Sequence, residues 1–592
     1  MLTLFTQLLG IVLSVASLSV PRAEYPRPQF ERSDWQTLNG EWTFTLGEGD
    51  KASKGFDGSI TVPFAPQSKL SGIGNTDFIK ECWYQRDIQM PSEWKGKRVM
   101  LNFGAVYYES TLYIDGKFVG YHCGGSDPFA YDITPFVEDG ASHSLVLEVR
   151  SDLLSGVQPG GKQSHEQESY GCFYTRTTGI WQSVWMEAVD AYGLKGVGIV
   201  PDIDINTVTI TPTYYNIAKG QTISISVLDG KKRVAKFSGD ATEGLPIQMK
   251  IRKPKLWSPE NPHLYTLALE VKDANGKVLD KVSSYFGMRK ISIEGTHILL
   301  NNEPYFQRLV LDQGFYPDGV WTAPSDEALK ADIEMSMAVG FNGARLHQKV
   351  FEERFYYWAD KLGYLVWSEM ASWGMDASNP VAGRNFTSEW TNIVEAKRNH
   401  PSIVAWTPFN EEWSPSKEGG RLYTDVYYLT KKLDPTRPVN TISGGVYVIS
   451  DFCTAHDYTQ NGATLHNIIY NGSEFCQPYG PKTSAEMTIL HYDGAVPYIL
   501  DEFGGIKCAE TQEDDGNSWG YGDSAKTREE FYSRLESQVK AIVDHGDKVC
   551  GFCYTQLTDV EQEQNGIYYY DRSAKYDSER VRKIFQMPAL GY

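Results

Sequence analysis

The chain has no cluster of Lys and Arg, almost no cysteine, and a single long apolar run. Its 56 Lys and Arg stand against 75 Asp and Glu, a formal charge of −19. A phosphate backbone would be repelled by such a surface, so nucleic acid is excluded as an expected partner. Outside the first twenty residues no segment has the roughly 18 uninterrupted apolar residues that a membrane span requires. The eight cysteines are scattered. Cys550 and Cys553 form a Cys-x-x-Cys, but inside the apolar run "VCGFCYTQL" and without a second pair, so a zinc site does not follow. A redox pair would begin a helix, whereas this run has strand character, and both residues are expected as buried free thiols.

Apolar residues make up 41% and charged residues 22%, ordinary for a soluble globular protein. Aromatics reach 13%, with 15 Trp and 36 Tyr, which suits stacking against sugar rings and equally suits large β-sandwich cores. At 592 residues the chain exceeds one core, and about three domains are expected. The opening "MLTLFTQLLGIVLSVASLSVPRAEYPRP" runs from apolar to small residues to prolines. It predicts a secretory signal over residues 1–22 and a secreted or extracytoplasmic protein; because no Lys or Arg precedes the apolar run, an uncleaved anchor is the alternative. Asn385-Phe-Thr and Asn471-Gly-Ser are glycosylation acceptors if the host is eukaryotic.

Residues 23–190 consist of short alternating runs broken by Gly, Pro and Asp, among them "GEWTFTL", "WYQRDIQM" and "RVMLNFGAV". The Asp-Gly of "YIDGKFV" between alternating runs predicts a tight hairpin, and the whole predicts a β-sandwich. Residues 191–288 repeat the pattern over about a hundred positions and some seven strands, which predicts an immunoglobulin-like sandwich. From 289 to 592 strand-like and helix-like stretches alternate. Eight candidate strands ("YFQRLVLD", "FNGARLH", "YLVWSEM", "SIVAWTPFN", "PVNTISG", "DFCTAHDY", "PYILDEFG", "KVCGFCYTQLTD") predict a (β/α)8 barrel.

Barrel active sites lie at the C-terminal ends of strands. Those ends carry Asp312, then Arg345 and His347, then Glu369, Asn410 and Glu411, His456 and Tyr458, Asp501 and Glu502, and Gln556 and Asp559. Carboxylates at the opposed fourth and seventh strands suit glycosidic bond cleavage: one acid protonates the leaving oxygen, and a carboxylate about 5–5.5 Å away attacks the anomeric carbon.

In order along the chain, "LNGEWTF", "WYQRDIQMP", "YIDGKFVGYHCGGSDPFAYDIT", "TTGIWQSVWME", "GFNGARLHQ", "NHPSIVAWTPFNEEW" and "DEFGG" resemble glycoside hydrolase family 2, which contains β-galactosidases, β-glucuronidases and β-mannosidases. The resemblance covers nearly everything after the signal and implies a jelly-roll, sugar-binding-like first sandwich. It implies that Glu411 is the acid/base and Glu502 the nucleophile. Successive side chains of an extended backbone point to opposite faces, so Glu412 is expected to turn into a loop contact. It also implies that Asn410 binds the sugar 2-hydroxyl, that Arg345 keeps Glu502 ionised or is a structural ion pair, and that His456 and Tyr458 reach the sugar or the nucleophile, a satisfied core histidine being the alternative for His456. His347, Asp312, Asp559 and Tyr554 join the expected substrate-binding set, with Trp373 and Trp413 either stacking on a ring or packing. Glu369 is expected to be structural.

Departures from the family narrow the sugar. β-Glucuronidases hold the substrate carboxylate with an Asn-x-Lys element, whereas here Asn565 is followed by Gly566 and Ile567; a buried anion without its cation is costly, which demotes uronides. Large β-galactosidases have a tryptophan in the eighth strand where this chain has Tyr554, and the chain is expected to end with the barrel, without their further C-terminal domains. No equivalent of their magnesium ligands is evident, so neither a metal nor another cofactor is expected. The resulting expectation is a retaining exo-β-glycosidase acting on a glycoside, oligo- or polysaccharide, with galactoside first and mannoside, arabinoside or glucuronide behind. The first sandwich would pack beside the barrel mouth and block one end of the cleft, and the protein is a possible homo-oligomer. A non-catalytic carbohydrate-binding protein is the rival of another class.

Overall fold

The computed structural model describes residues 20–47, 56–412, 417–471, 494–511 and 516–592. Most of the expected signal segment and Trp413 lie outside them. Among the described residues no helix is long and apolar enough to cross a membrane.

The first sandwich sets a six-stranded antiparallel sheet, including Gly40–Leu46, Glu81–Gln89, Ser142–Arg150 and Glu109–Ile114, on a four-stranded one that includes Arg98–Phe103 and Val184–Val189. Residues of Glu109–Ile114 alternate between half-buried and buried, and the inward set of both sheets (Trp42, Tyr84, Leu101, Leu112, Leu147, Met186) forms the core. Asp115 and Gly116 join Glu109–Ile114 to Lys117–Cys123 with φ of 48° and 74°, the positive pair that a two-residue hairpin of the expected kind demands. The second sandwich packs three strands, Leu194–Asp202, Thr207–Tyr214 and Ile247–Lys250, on four, Lys232–Asp240, Thr222–Asp229, Tyr265–Lys272 and Val278–Phe286. These are the seven strands expected of an immunoglobulin-like domain.

The barrel strands are β1 Gln307–Asp312, β2 Gly343–Leu346, β3 Leu365–Glu369, β4 Ile403–Thr407, β5 Ile442–Ser443, β6 Cys453–Asp457, β7 Tyr498–Gly504 and β8 Gly551–Thr555. A parallel ladder runs β4-β3-β2-β1-β8-β7-β6, and the continuation of β4 through Phe409–Asn410 pairs with β5. Side chains bridge β5 to β6, with Gly444 N donating to Thr454 Oγ1 at 3.0 Å. The helices are α1 Asp326–Ala338, α2 Glu353–Leu362, α3 Pro380–Lys397, α4 Lys417–Leu433, α5 Gly462–Asn471, α6 Arg528–Val543 and α7 Ser578–Phe585, and β5 runs into β6 without one. Ser325 caps α1, its Oγ accepting from Ala328 N, with Asp326 and Glu327 in the first turn.

Side-chain parity divides the barrel. Leu309, Leu311, Leu365, Trp367, Ile499 and Cys553 point inward, where a small antiparallel sheet beginning at Ile291 closes the bottom with Ile291, Ile298 and Leu300. Val310, Ala344, Leu346, Val366, Leu500, Phe552 and Tyr554 point outward into the helical layer. Cys550 and Cys553 are buried free thiols. Asn385 sits inside α3, 9% exposed, and its Nδ2 donates to Val157 O of the first sandwich, so the folded chain keeps this sequon for packing rather than for a glycan.

The first sandwich lies against the barrel mouth. Gly160 N and Gly161 N donate to Trp373 O and Ala371 O beyond β3, at 2.7 and 3.2 Å. Gly161 has φ of 60°, and a Cβ there would lie 2.4 Å from Gln348 O, so the approach admits only glycine. On the other side of the mouth Gln562 Nε2 and Trp519 Nε1 both donate to Gly171 O. Arg22 also belongs to the folded body: its buried guanidinium donates to both carboxylate oxygens of Glu352, at 2.9 and 2.5 Å.

Candidate active site

Glu502 and Asp501 both reach the mouth because the β7 register shifts between Leu500 and Phe503, which breaks strict alternation. Arg345, inward on β2 with His347, is fully buried. Its Nη1 donates to Glu369 Oε2 at 2.7 Å, Asn410 Oδ1 at 3.1 Å and Ser443 Oγ at 2.7 Å, and its Nη2 donates to Glu502 Oε1. The other oxygen of Glu502 accepts from Tyr458 OH. Burial pushes the Glu502 carboxyl up, but His456, Arg345, Lys162 and the Tyr458 bond outweigh it and hold the group below the usual carboxylate range. Arg345 therefore lies beneath Glu502 and pairs with it. Glu369 is pushed up to about 7 by burial against the pull of Arg345; it braces Arg345 and accepts from Gln348 N, a structural part as expected.

Asn410 and Glu411 are neighbours, yet both serve the mouth. In a continuous strand they would face opposite ways; Glu411 has φ of 50°, a left-handed conformation that a glutamate adopts at some cost, and this turns its side chain back over the opening. Its carboxyl is 22% exposed side chain and accepts from His456 Nδ1 at 2.6 Å. Glu412 turns away as expected, but its partner is Tyr423 of α4 rather than a loop. The Nδ2 of Asn410 is buried without an acceptor among the described residues, a donor left for a ligand. One oxygen of Glu411, a nitrogen of His456 and one oxygen of Glu502 lie within 4.8 Å of one another.

His456 links the two acids. Its Nδ1 is 2.6 Å from Glu411 Oε1 and 3.4 Å from Glu502 Oε2, while Nε2 meets Ser443 Oγ at 3.1 Å and Asp501 Oδ1 at 3.4 Å. Burial disfavours its charge, but Glu502, Asp501 and Glu411 prevail and raise it to about 9. This is an imidazolium between two carboxylates, not a core histidine. His347 is the opposite case: burial together with Lys162, Arg345 and His456 drives it well below its ordinary value, so it stands as a neutral ring beside Trp373. Trp373 Nε1 donates to Asn410 O at 2.9 Å, which fixes its indole at the mouth next to Phe173.

Three expected ligands are placed elsewhere. Asp312 shares the outward parity of Val310; its carboxyl accepts from Gly314 N among Asp332, Arg572 and Lys349, and burial with the Asp332 charge raises it to about 7. Tyr554 is outward on β8 and packs between Phe503 and Phe585. Asp559 holds Lys575 Nζ at 2.7 and 3.0 Å and accepts from Gly566 N. Conversely, Thr555, inward where Tyr554 is not, meets Tyr458 OH at 3.0 Å. Counting alternation from Cys553 would have found it. Tyr521 stacks on Tyr458 with ring centroids 3.3 Å apart. Glu563 accepts from Tyr174 OH and Asn565 Nδ2, and Lys162 enters from the first sandwich; these come from loops with no periodic signal.

Residues 73–186, 195–289 and 322–474 match, in that order, the sequence models of the sugar binding domain, the central domain and the TIM barrel domain of glycosyl hydrolases family 2. A β-glucuronidase of Paenibacillus borealis is 21% identical over 562 residues, 88% of this chain and 90% of that protein. A β-galactosidase of Pseudoalteromonas haloplanktis is 24% identical over 444 residues, 70% of this chain but only 39% of that protein. The solved structure of a Ruminococcus gnavus β-glucuronidase in complex with D-glucuronic acid superposes with a TM-score of 0.77 at 20% identity, covering 96% of this chain and 100% of that one.

Proposed function

Since the chain belongs to glycoside hydrolase family 2 and is a glycoside hydrolase, we propose that it is a retaining exo-β-glycosidase with Glu502 as nucleophile and Glu411 as acid/base. The observation that carries this reading is the pair of carboxylates within 4.8 Å across the mouth, in unequal surroundings. That spacing suits direct attack on the anomeric carbon and leaves no room for an intervening water. Glu502, held ionised by Arg345 and Tyr458, attacks; the partly exposed Glu411 protonates the leaving oxygen and then deprotonates the incoming water. Asn410 Nδ2 supplies the bond to the sugar 2-hydroxyl that strengthens as charge develops. The loop of the first sandwich against the mouth supports removal of terminal sugars.

For the sugar, a β-glucuronide is favoured and a β-galactoside competes. The lysine missing after Asn565 spoke for the neutral sugar, but most of the similar proteins named are β-glucuronidases and a buried lysine enters the mouth from another domain. The apolar N-terminal stretch supports export. Proton NMR of a cleaved aryl β-glycoside tests the reading: the β-hemiacetal is expected first, and an initial α-product, or silence across a panel of aryl glycosides, would refute it.

The imidazolium of His456 leads to a second expected result. Activity on free substrate needs Glu502 ionised and one proton on the Glu411–His456 pair. In His456→Asn the Glu502 carboxyl loses the largest influence that lowers it, so the acid limb of kcat/KM moves to higher pH. The acid limb is expected to rise by about one pH unit. A uniform loss at every pH would show that His456 only packs.

A further inference from the structure

Four lysines are buried among the described residues. Lys349 donates to Gly314 O and Trp321 O, Lys397 to Glu353, and Lys575 to Asp559. Lys162, 7% exposed, has no hydrogen bond or ion pair for its ammonium among the described residues. Burial disfavours its charge, but the carboxylates around it outweigh burial and hold it charged, so its N–H donors stay available to a ligand in the mouth.

The chain positions this ammonium deliberately. Lys162 follows the two glycines pinned to Trp373 O and Ala371 O, and its own carbonyl accepts from Tyr174 N at 2.8 Å, so the backbone on both sides is fixed to the mouth. Its Nζ lies 5.6 Å from the centroid of the Trp373 ring, the indole bonded to Asn410 O. The contact with Trp373 sets it at the mouth, where the charges of Glu563, Glu502 and Glu411 act on it. Glu563 is engaged by Tyr174 and Asn565 and does not close on it. The position after Asn565 where family β-glucuronidases carry a lysine is empty of charge here, with Gly566 and Ile567.

We propose that Lys162, delivered by the first sandwich, is the specificity-determining cation that pairs with a carboxylate on the terminal sugar. The inference rests on the glycosidase reading of the same site and assigns to a different domain the charge that the barrel loop lacks. A desolvated ammonium gains more from a carboxylate than from a hydroxyl, so the subsite selects a uronide over its neutral counterpart.

The test compares wild type, Lys162→Met and Lys162→Arg on 4-nitrophenyl β-D-glucuronide and 4-nitrophenyl β-D-galactoside, with calorimetric titration of D-glucuronate and D-galactose. Lys162→Met is expected to lower kcat/KM for the glucuronide by at least about 100-fold more than for the galactoside, chiefly through KM, with partial recovery in Lys162→Arg. An unchanged ratio overturns the proposal while leaving the glycosidase reading intact. If wild type cleaves neither compound, both sugar assignments fail and titration still decides: glucuronate binding lost in Lys162→Met supports Lys162, and equal binding or none overturns it. Should Lys162→Met not fold, wild type binding galactose as tightly as glucuronate is the overturning result, and preference for glucuronate weakened in Lys162→Arg the supporting one.

Discussion

Glu502→Ala is expected to lower kcat on an aryl β-glycoside by at least about 10⁴-fold, roughly 5 kcal/mol of barrier, with the fold retained. The size follows from where the group sits. Glu502 is gripped on both oxygens, by Arg345 and by Tyr458, and His456 and Arg345 hold it ionised, so it presents an oriented lone pair at neutral pH. Water entering the vacated space lacks that charge and position. Arg345 keeps Glu369 as a counterion in the variant, so an uncompensated buried guanidinium does not dominate the result. Azide can occupy the space of the lost carboxylate while Glu411 still protonates the leaving group. Attack then comes from the nucleophile's side, and the rescued product is the α-glycosyl azide. A β-azide from this variant would reverse the two roles.

The sequence already contained the reason these acids meet. Eight apolar runs ending in polar residues set the barrel, and the barrel alone places the ends of β4 and β7 across one opening. Arg345 was legible as well, because it shares inward parity with His347 on a short buried strand. Asp312 and Tyr554 were misplaced because position at a strand end was read without parity; Val310 and Phe552 on the same strands show that both must face the helices. Asp559 looked free only because Lys575, sixteen residues on, has no periodic relation to it. Glu411 is a different kind of limit. Alternation from Asn410 would have turned it away from the mouth, and a left-handed φ that no local residue preference announces turns it back. Lys162 is the extreme case, since its meaning depends on the docking of one domain on another.

Glu411→Ala is expected to divide substrates by leaving group. With an alkyl or sugar aglycone, departure requires a proton and the loss should reach about 10³-fold. With 2,4-dinitrophenolate, which departs unaided, formation of the glycosyl-enzyme should be nearly unaffected and only its hydrolysis should slow, so a burst of phenolate precedes a slow steady state. Azide then replaces the water that Glu411 would have activated and attacks from the side opposite Glu502, giving the β-glycosyl azide. Glu411→Gln separates proton transfer from architecture, because an amide oxygen can still accept from His456 Nδ1 while carrying no acid. If Gln and Ala behave alike across leaving groups, the group matters as an acid; if Gln restores the rate on unactivated substrates, the bond to His456 matters more than the proton. An equal loss on every substrate in both variants would remove Glu411 from the acid role, and the neighbouring imidazolium of His456, 2.6 Å away, would be the remaining proton donor at the mouth.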